Sequence, residues 1–469
     1  MSDILTYLET QLATFDEEPF NAVDSALLAQ FCMARGEGIM PRMALGEGAG
    51  EEGSAERTAR WRAPFAALRR RLRERRESGR DERAGKAAAA GKAPAAGQAA
   101  AVGAASTTSD GADRAEEAQG ATAPTAPVRF ADLLRAELFP TMFSGMHATS
   151  MTQQLFRMAA SPRFRELLIY DHEAAFDEAL DMQFAATTFV CPGRFAYVGY
   201  RGTDTTLTGW REDFNMAYMV PVPAQDLAVR YLEAVAADRR LPGRLIVGGH
   251  SKGGNLAEYA ALKASPAVQE RIVHLYNHDG PGFMPGTFTA VDYEPLVGRM
   301  TKQVPGDSMV GILMESLMPT EVVQATGRGF EQHTVYRWVV ADAEAEPGPR
   351  EDAAHVAKPG GAPAIFATLG ALPDRTERRA EALATWLASM DGEDRERMVE
   401  ALFSALKAAG ITDAAQLFAG GREWAILRDG VMRAPMADRT TMLNALRGLT
   451  RAFSDVTAAR NNARRSGKK

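Results

Sequence analysis

The stretch that decides the fold is Arg-Leu-Ile-Val-Gly-Gly-His-Ser-Lys-Gly-Gly-Asn-Leu-Ala-Glu-Tyr-Ala-Ala, at residues 244–261. Its apolar run at 245–247 predicts a buried strand, and the Ala-rich segment after Ser251 predicts an amphipathic helix. The turn between them has the G-x-S-x-G spacing of a nucleophile elbow, which lifts a serine hydroxyl above a sheet. Glycines on either side let strand and helix approach without Cβ clashes. We therefore predict that Ser251 is a nucleophile at a helix N-terminus. The alternative is a glycine-rich turn whose serine has no catalytic role.

The rest of the ordered chain predicts strands that alternate with helices. Such alternation favours an α/β fold with a mostly parallel sheet covered by helices on both faces. The strands are expected at residues 194–201, 274–278, 300–304 and 334–340. Residues 130–192 are expected to be helical, including 130–138 and 164–185. Further helices are expected at residues 223–238, 375–390, 393–409, 413–419 and 437–456.

Composition divides the chain into segments. Residues 46–127 are mostly Ala, Gly, Glu, Arg, Ser and Thr, so they cannot bury enough apolar surface to offset the entropy of ordering and are predicted to be a disordered insertion. The predicted organisation is an N-terminal helical part of the main domain at 1–45, the insertion at 46–127, an α/β core at 128–345, a linker at 346–372, a helical C-terminal region at 373–458 and a basic tail at 459–469.

Charge and composition exclude several classes of function. The formal net charge of −6 gives no reason to expect a nucleic-acid partner. No metal-ligand cluster and no G-x-G-x-x-G motif is present, so no metal or cofactor is expected. The separated Cys32 and Cys191 indicate a reducing compartment, and the lack of a signal sequence or an 18-residue apolar run favours a cytoplasmic protein. The basic amphipathic stretch at 58–76 either contacts an anionic membrane or a protein partner, or is a solvated piece of linker.

A hydrolytic serine needs a base and an orienting acid, which in this kind of fold follow the serine as acid and then histidine. His333 is the best candidate base, because it lies in a loop after two further predicted strands. Asp307 is the favoured acid, since it directly follows the strand at 300–304 and catalytic groups gather at the carboxyl ends of strands. Asp279, which ends the preceding strand in a Gly-Pro-Gly setting, remains the alternative.

The oxyanion donors are expected on both sides of the serine. Lys252 supplies the backbone N–H that follows it. Thr203, after the strand at 194–201, supplies the second donor, the alternative being that residues 201–204 form a simple turn. The Lys252 ammonium group either attracts an anionic substrate or pairs with Glu258 or Asp279.

These segments carry a resemblance to a known family. Tyr-Val-Gly-Tyr-Arg-Gly-Thr-Asp at 197–204, with Trp210 and Asp213, resembles the Arg-Gly-Thr and Trp-x-x-Asp segment of class 3 (fungal-type) lipases. The segments at 210–217, 249–257, 279–283 and 332–333 are similar to an uncharacterised bacterial domain family built on that lipase-like core. The resemblance implies an α/β-hydrolase fold with Ser251, Asp307 and His333 as triad and Thr203 and Lys252 as oxyanion donors. Lys252 departs from the secreted lipases, which carry an apolar residue there, so their substrate preference cannot be transferred.

The sequence thus predicts a serine hydrolase that cleaves carboxylic esters, with a small ester or lipid as its substrate. The alternative is a catalytically silent module that keeps the hydrolase fold and binds a lipid or protein partner.

Overall fold

A computed structural model describes residues 2–42, 124–341, 366–414, 416 and 423–466. The predicted insertion lies outside the described residues except for residues 124–127, as do the basic stretch at 58–76, most of the linker, most of the helix expected at 413–419 and the last residues of the tail.

Within these residues, nine strands form one sheet. The strands are β2 (Val128–Arg129), β3 (Leu168–Asp177), β4 (Met182–Cys191), β5 (Phe195–Tyr200), β6 (Leu245–His250), β7 (Ile272–His278), β8 (Met300–Pro305), β9 (Thr320–Val323) and β11 (Thr368–Leu369). Their order across the sheet is β11-β9-β8-β7-β6-β5-β4-β3-β2. Strands β5 to β9 run parallel, while β2, β3 and β4 on one side and β11 on the other are antiparallel to their neighbours. A small second sheet pairs β1 (Ser2–Asp3) with β10 (Val339–Val340).

Helices cover both faces of the large sheet. The helices are α1 (Ile4–Thr10), α2 (Ala22–Phe31), α3 (Phe139–Met142), α4 (Ala148–Ala160), α5 (Leu207–Asn215), α6 (Pro223–Ala237), α7 (Lys252–Lys263), α8 (Pro266–Arg271), α9 (Ala290–Tyr293), α10 (Asp374–Ala388), α11 (Gly392–Ala408), α12 (Glu423–Arg433) and α13 (Met436–Ser466). One apolar core joins the sheet to α6 and α7 through side chains such as Tyr231 and Leu256. A second core joins it to the N-terminal helices through Phe31 and Leu27. The predicted α/β-hydrolase fold, with a mostly parallel sheet between helices, is confirmed.

Four of the expected elements differ from the structure. Residues 130–138, expected to be one helix, form two short 3-10 segments, Phe130–Leu133 and Ala136–Leu138. Residues 164–185, expected to be helical, contain β3 and the start of β4. Residues 334–340, expected to be a strand, form a 3-10 turn over Val335–Arg337 before the short β10. The end of the expected linker contributes β11 to the sheet edge, where Thr368 and Leu369 pair with Val323 and Val322. Strand β4 is buried along nearly its whole length, so it lacks the alternation of polar and apolar residues that identifies a half-buried strand.

The C-terminal helices pack against the region that carries the predicted site. The ring of Phe403 in α11 contacts Phe214 in α5, with 5.8 Å between the centroids. On α10, Thr376 Oγ1 donates to the Gly306 carbonyl after β8. This helical region therefore braces the loops at the carboxyl end of the sheet. No helix in the described part of the chain is long and apolar enough to cross a membrane.

The two sides of the predicted insertion meet in the fold. The Arg42 N–H donates to the Pro124 carbonyl at 3.1 Å, so the chain leaves and re-enters the domain at nearly the same point. Because the ends already touch, deleting residues 46–123 is expected to leave a folded domain whose thermal midpoint moves by only a few degrees. Differential scanning calorimetry of the deletion variant checks this, and an insoluble or molten variant would show that the segment packs on the core.

Candidate active site

The elbow is built where β6 ends and α7 begins. Ser251 has φ 58° and ψ −132°, a strained backbone for a residue with a side chain. A Cβ atom at Gly249 would lie 2.2 Å from the Gly253 carbonyl group, and one at Gly253 would lie 2.1 Å from the Tyr200 carbonyl oxygen. Both flanking positions therefore require glycine. The Ser251 N–H donates to the His278 carbonyl at 3.0 Å, which ties the elbow to the end of β7.

The structure brings His333 together with Asp279. His333 Nδ1 lies 2.7 Å from Asp279 Oδ2. Asp279 is fully buried, and its other oxygen accepts hydrogen bonds from Ser308 Oγ at 2.6 Å and from the Gly311 N–H at 3.0 Å. The neutral tautomer of His333 that donates Nδ1–H to Asp279 leaves the other ring nitrogen without a proton, as a general base requires.

His333 also lies against the residue that precedes the serine. His250 Nε2 donates to the His333 carbonyl at 2.7 Å, and the two ring centroids are 4.6 Å apart. Burial, followed by the charge of His333, holds the pKa of His250 well below its usual value, so His250 stays neutral. This contact fixes the loop that carries His333 beside the elbow.

Asp307 does not reach His333, contrary to the expectation from the sequence. Its Oδ1 accepts from Arg379 Nη2 at 3.0 Å, and its Oδ2 accepts from the Gly329 N–H at 2.7 Å. Partial burial works against ionisation, but these two donors hold the pKa of Asp307 below its ordinary value. The Asp307 N–H donates to Gln332 Oε1, so this residue supports the turn before His333 rather than the imidazole itself.

The loop after β5 lies directly against the elbow. A Cβ atom at Gly202 would be 2.9 Å from the His250 carbonyl oxygen and 3.3 Å from Ser251 Cβ. The next residue, Thr203, donates its hydroxyl to Asp213 on α5. Burial raises the pKa of Asp213 to about 6, although Lys252 and the Thr203 hydroxyl favour its ionised form. Thr203 thus follows a residue that lies against Ser251, and its hydroxyl is held by Asp213.

The Lys252 side chain is buried and forms an ion pair with Glu212 on α5. Its Nζ also donates to the Gln183 carbonyl at 2.8 Å. Neither of the expected arrangements occurs, because the ammonium group faces neither solvent nor Glu258 or Asp279. The Glu212 carboxylate in turn accepts from the Gln183 N–H at 2.9 Å and the Ala224 N–H at 2.8 Å. The sequence carries one indication of this pair, because a lysine that is buried at a helix start needs a carboxylate partner.

Two further histidines, His278 and His172, are buried among structural contacts. His278 Nε2 lies 2.8 Å from Ser25 Oγ, and burial lowers its pKa to about 3. Burial likewise lowers the pKa of His172 to about 4, despite the nearby Glu37. His355 lies outside the described residues. Among the residues that the structure describes, no group of three or more His, Cys, Asp or Glu side chains could hold a metal ion.

Comparison with known proteins gives a limited set of similarities. Residues 158–353, less than half of the 469-residue chain, match the model of the Mbeg1-like family, which is lipase-like. Among solved structures, the chain is similar to M37 lipase at 16% identity and a TM-score of 0.24, covering 35% of this chain and 61% of that chain. The chain thus spans less than two thirds of that lipase. No curated protein matches. Residues 158–353 are thus similar to a lipase-like family, and the described residues have the α/β core with a mostly parallel sheet that the sequence predicted.

Proposed function

We propose that this protein is a serine hydrolase that cleaves carboxylic esters through Ser251, His333 and Asp279. The observation that carries the proposal is the Asp279–His333 hydrogen bond, formed beside a serine on a strained strand-to-helix turn. A buried carboxylate on Nδ1 of a histidine is the arrangement that activates a serine hydroxyl in unrelated hydrolase folds. Asp279 takes the acid role that the sequence favoured for Asp307.

The reaction follows from these positions. Ser251 Oγ attacks the ester carbonyl carbon while His333 Nε2 takes the hydroxyl proton, giving a tetrahedral oxyanion. The Lys252 N–H, at the start of α7, and Thr203 donate to that oxyanion. The intermediate expels the alcohol, which receives the proton from His333, and leaves an acyl-enzyme. Water then repeats the sequence to release the acid and restore Ser251.

The proposed substrate is a small-molecule ester or lipid, with no nucleic acid and no metal or cofactor in the reaction. We also propose a cytoplasmic location, which the free thiols of Cys32 and Cys191 support. Contact of the basic stretch at 58–76 with a membrane or a protein remains a prediction, since that stretch lies outside the described residues.

A fluorophosphonate probe tests the proposal, because it phosphonylates only a serine that is activated as a nucleophile. Trypsin cleaves after Arg244 and Lys252, so the elbow yields the peptide of residues 245–252. We expect the mass of the probe on Ser251 in this peptide. The controls are Ser251→Ala and heat-denatured protein, neither of which should be labelled. A native chain that stays unlabelled while a known serine hydrolase reacts in parallel would support the silent binding module instead.

A further inference from the structure

The loop after β8 reaches the candidate active site through Ser308 rather than through the neighbouring Asp307. Ser308 is fully buried, and its Oγ donates to Asp279 Oδ1 at 2.6 Å. The Asp307 carboxylate is paired with Arg379 instead. This loop therefore brings a hydroxyl group, and not a second carboxylate, to the hydrogen-bonded pair of Asp279 and His333.

The backbone of Ser308 is held on both sides. Its N–H donates to the Pro305 carbonyl at 3.0 Å, which closes a turn directly after β8. Its own carbonyl accepts from Arg379 Nη1 at 3.0 Å, so helix α10 of the C-terminal region holds the same residue. Because both backbone groups are bonded, the fold fixes the position from which the hydroxyl meets Asp279.

The carboxylate that accepts this bond is confined as well. Asp279 has φ 49°, in the left-handed region that residues with a side chain seldom adopt, and its N–H donates to the Gln303 carbonyl at 2.7 Å. The Gly311 N–H donates to Oδ1 at 3.0 Å, and a Cβ atom at position 311 would overlap that oxygen. Oδ1 thus accepts from one backbone donor and one side-chain donor, and the side-chain donor is Ser308.

A donor on a buried carboxylate has two effects on the histidine that the carboxylate also binds. It restrains the carboxylate, so the imidazole that donates to the other oxygen keeps one orientation and one tautomer. It also stabilises the negative charge, which opposes the uptake of a proton by the carboxylate and imidazole together. Without the donor, the pair takes up that proton at a higher pH.

We propose that Ser308 is a positioning residue of this site: its hydroxyl holds the Asp279 carboxylate against His333 and so sets the pH above which His333 acts as a base. The inference rests on the proposed function and adds to it a residue that acts through Asp279. The other ionisable groups around the pair are His250, His147, Lys302, Glu258 and the Asp307–Arg379 ion pair. All of them stay in place when the Ser308 hydroxyl is removed, so a comparison of variants isolates that hydroxyl.

The test measures how the rate of fluorophosphonate labelling at Ser251 varies with pH in the full chain and in three variants. Ser308→Ala should lower the rate about tenfold at neutral pH and raise the midpoint of the acid limb by about one pH unit, the scale of one hydrogen bond to a charged group. Ser308→Thr keeps the hydroxyl and should keep the wild-type midpoint. Ser316→Ala is the matched control, because Ser316 Oγ, on the same loop, donates to the Glu258 carboxylate at 2.7 Å. This control should also keep the wild-type midpoint.

The outcomes separate this inference from the proposed function. If folded Ser308→Ala keeps the wild-type midpoint, or if Ser316→Ala shifts it equally, Ser308 does not position the pair, although Ser251 remains the nucleophile. If the wild-type chain is labelled at no pH, both proposals are overturned. Should Ser308→Ala or Ser308→Thr fail to fold, Ser308→Cys replaces it, since it keeps the size of the side chain but donates weakly. A Ser308→Cys midpoint above the wild-type value supports the inference, and one at the wild-type value contradicts it.

Discussion

Asp279→Asn is expected to lower kcat for a p-nitrophenyl ester by about 10⁴, whereas Asp307→Asn is expected to lower it by less than about tenfold. Asparagine keeps the shape of Asp279 but cannot hold His333 in the tautomer that accepts the serine proton. It also removes the negative charge that stabilises the imidazolium formed when Ser251 attacks. Asp307 contacts Arg379 and Gly329 instead of the imidazole, so its loss weakens the support of the His333 turn without changing the tautomer.

The two aspartates form a matched pair, because each ends a neighbouring parallel strand and each accepts backbone hydrogen bonds. Thermal unfolding of both variants separates catalytic loss from loss of structure. Asp307→Asn should lose about 1–3 kcal/mol of stability, through a weakened bond with the Arg379 guanidinium on α10. A 10⁴-fold loss of kcat in folded Asp307→Asn with near-normal Asp279→Asn would return the acid role to Asp307.

The sequence located the elbow because its determinants are local. An apolar strand, a turn that needs glycine at 249 and 253, and an amphipathic helix occupy one short stretch, so no distant contact is needed to identify it. The choice between Asp279 and Asp307 has no such local determinant. Both follow predicted parallel strands, and which one reaches His333 depends on the path of the loop from β9 back across the sheet. His250 and Gln332 fix that path through hydrogen bonds that no spacing in the sequence indicates.

The antiparallel part of the sheet was missed for a different reason. Strand β4 is buried by α6 on one face and by the N-terminal helices on the other, so its residues do not alternate. The same uniform burial suits a core helix, and the alanines near 174–175 and 185–186 favour that interpretation by propensity. Tertiary packing overrides the local preference here. The last two strands on that side of the sheet, β9 and the edge strand β11, were missed because four and two residues are too short to show a period.

Lys252→Met is expected to lower the free energy of unfolding by about 3–5 kcal/mol, the usual result of removing one partner from a buried ion pair. The side chains of Lys252 and Glu212 are 1% and 0% exposed, so the variant leaves a carboxylate without a cation in the core. Glu212 also accepts hydrogen bonds from the Gln183 and Ala224 N–H groups. The unpaired charge on Glu212 therefore also disturbs the contacts of β4 and of the start of α6. Urea denaturation with a constant m-value measures the change.

The coupling between the two residues is the decisive measurement. Lys252→Met/Glu212→Gln removes both charges, so the double variant should be more stable than the sum of the single losses predicts. Lys263→Met, at the exposed end of the same helix over the Phe288 ring, is the matched control and should cost about 1 kcal/mol or less.

A Lys252→Met protein as stable as the wild type would mean that the ammonium group is not held by Glu212. The Lys252 side chain would then be free to contact an anionic substrate, which the buried ion pair with Glu212 prevents. With the pair intact, the Lys252 side chain joins the elbow to α5, the helix whose Asp213 accepts from Thr203, and only its backbone N–H is left for the oxyanion role that we propose. The helix α5 therefore contacts the side chains of both residues that we propose as oxyanion donors, Lys252 and Thr203.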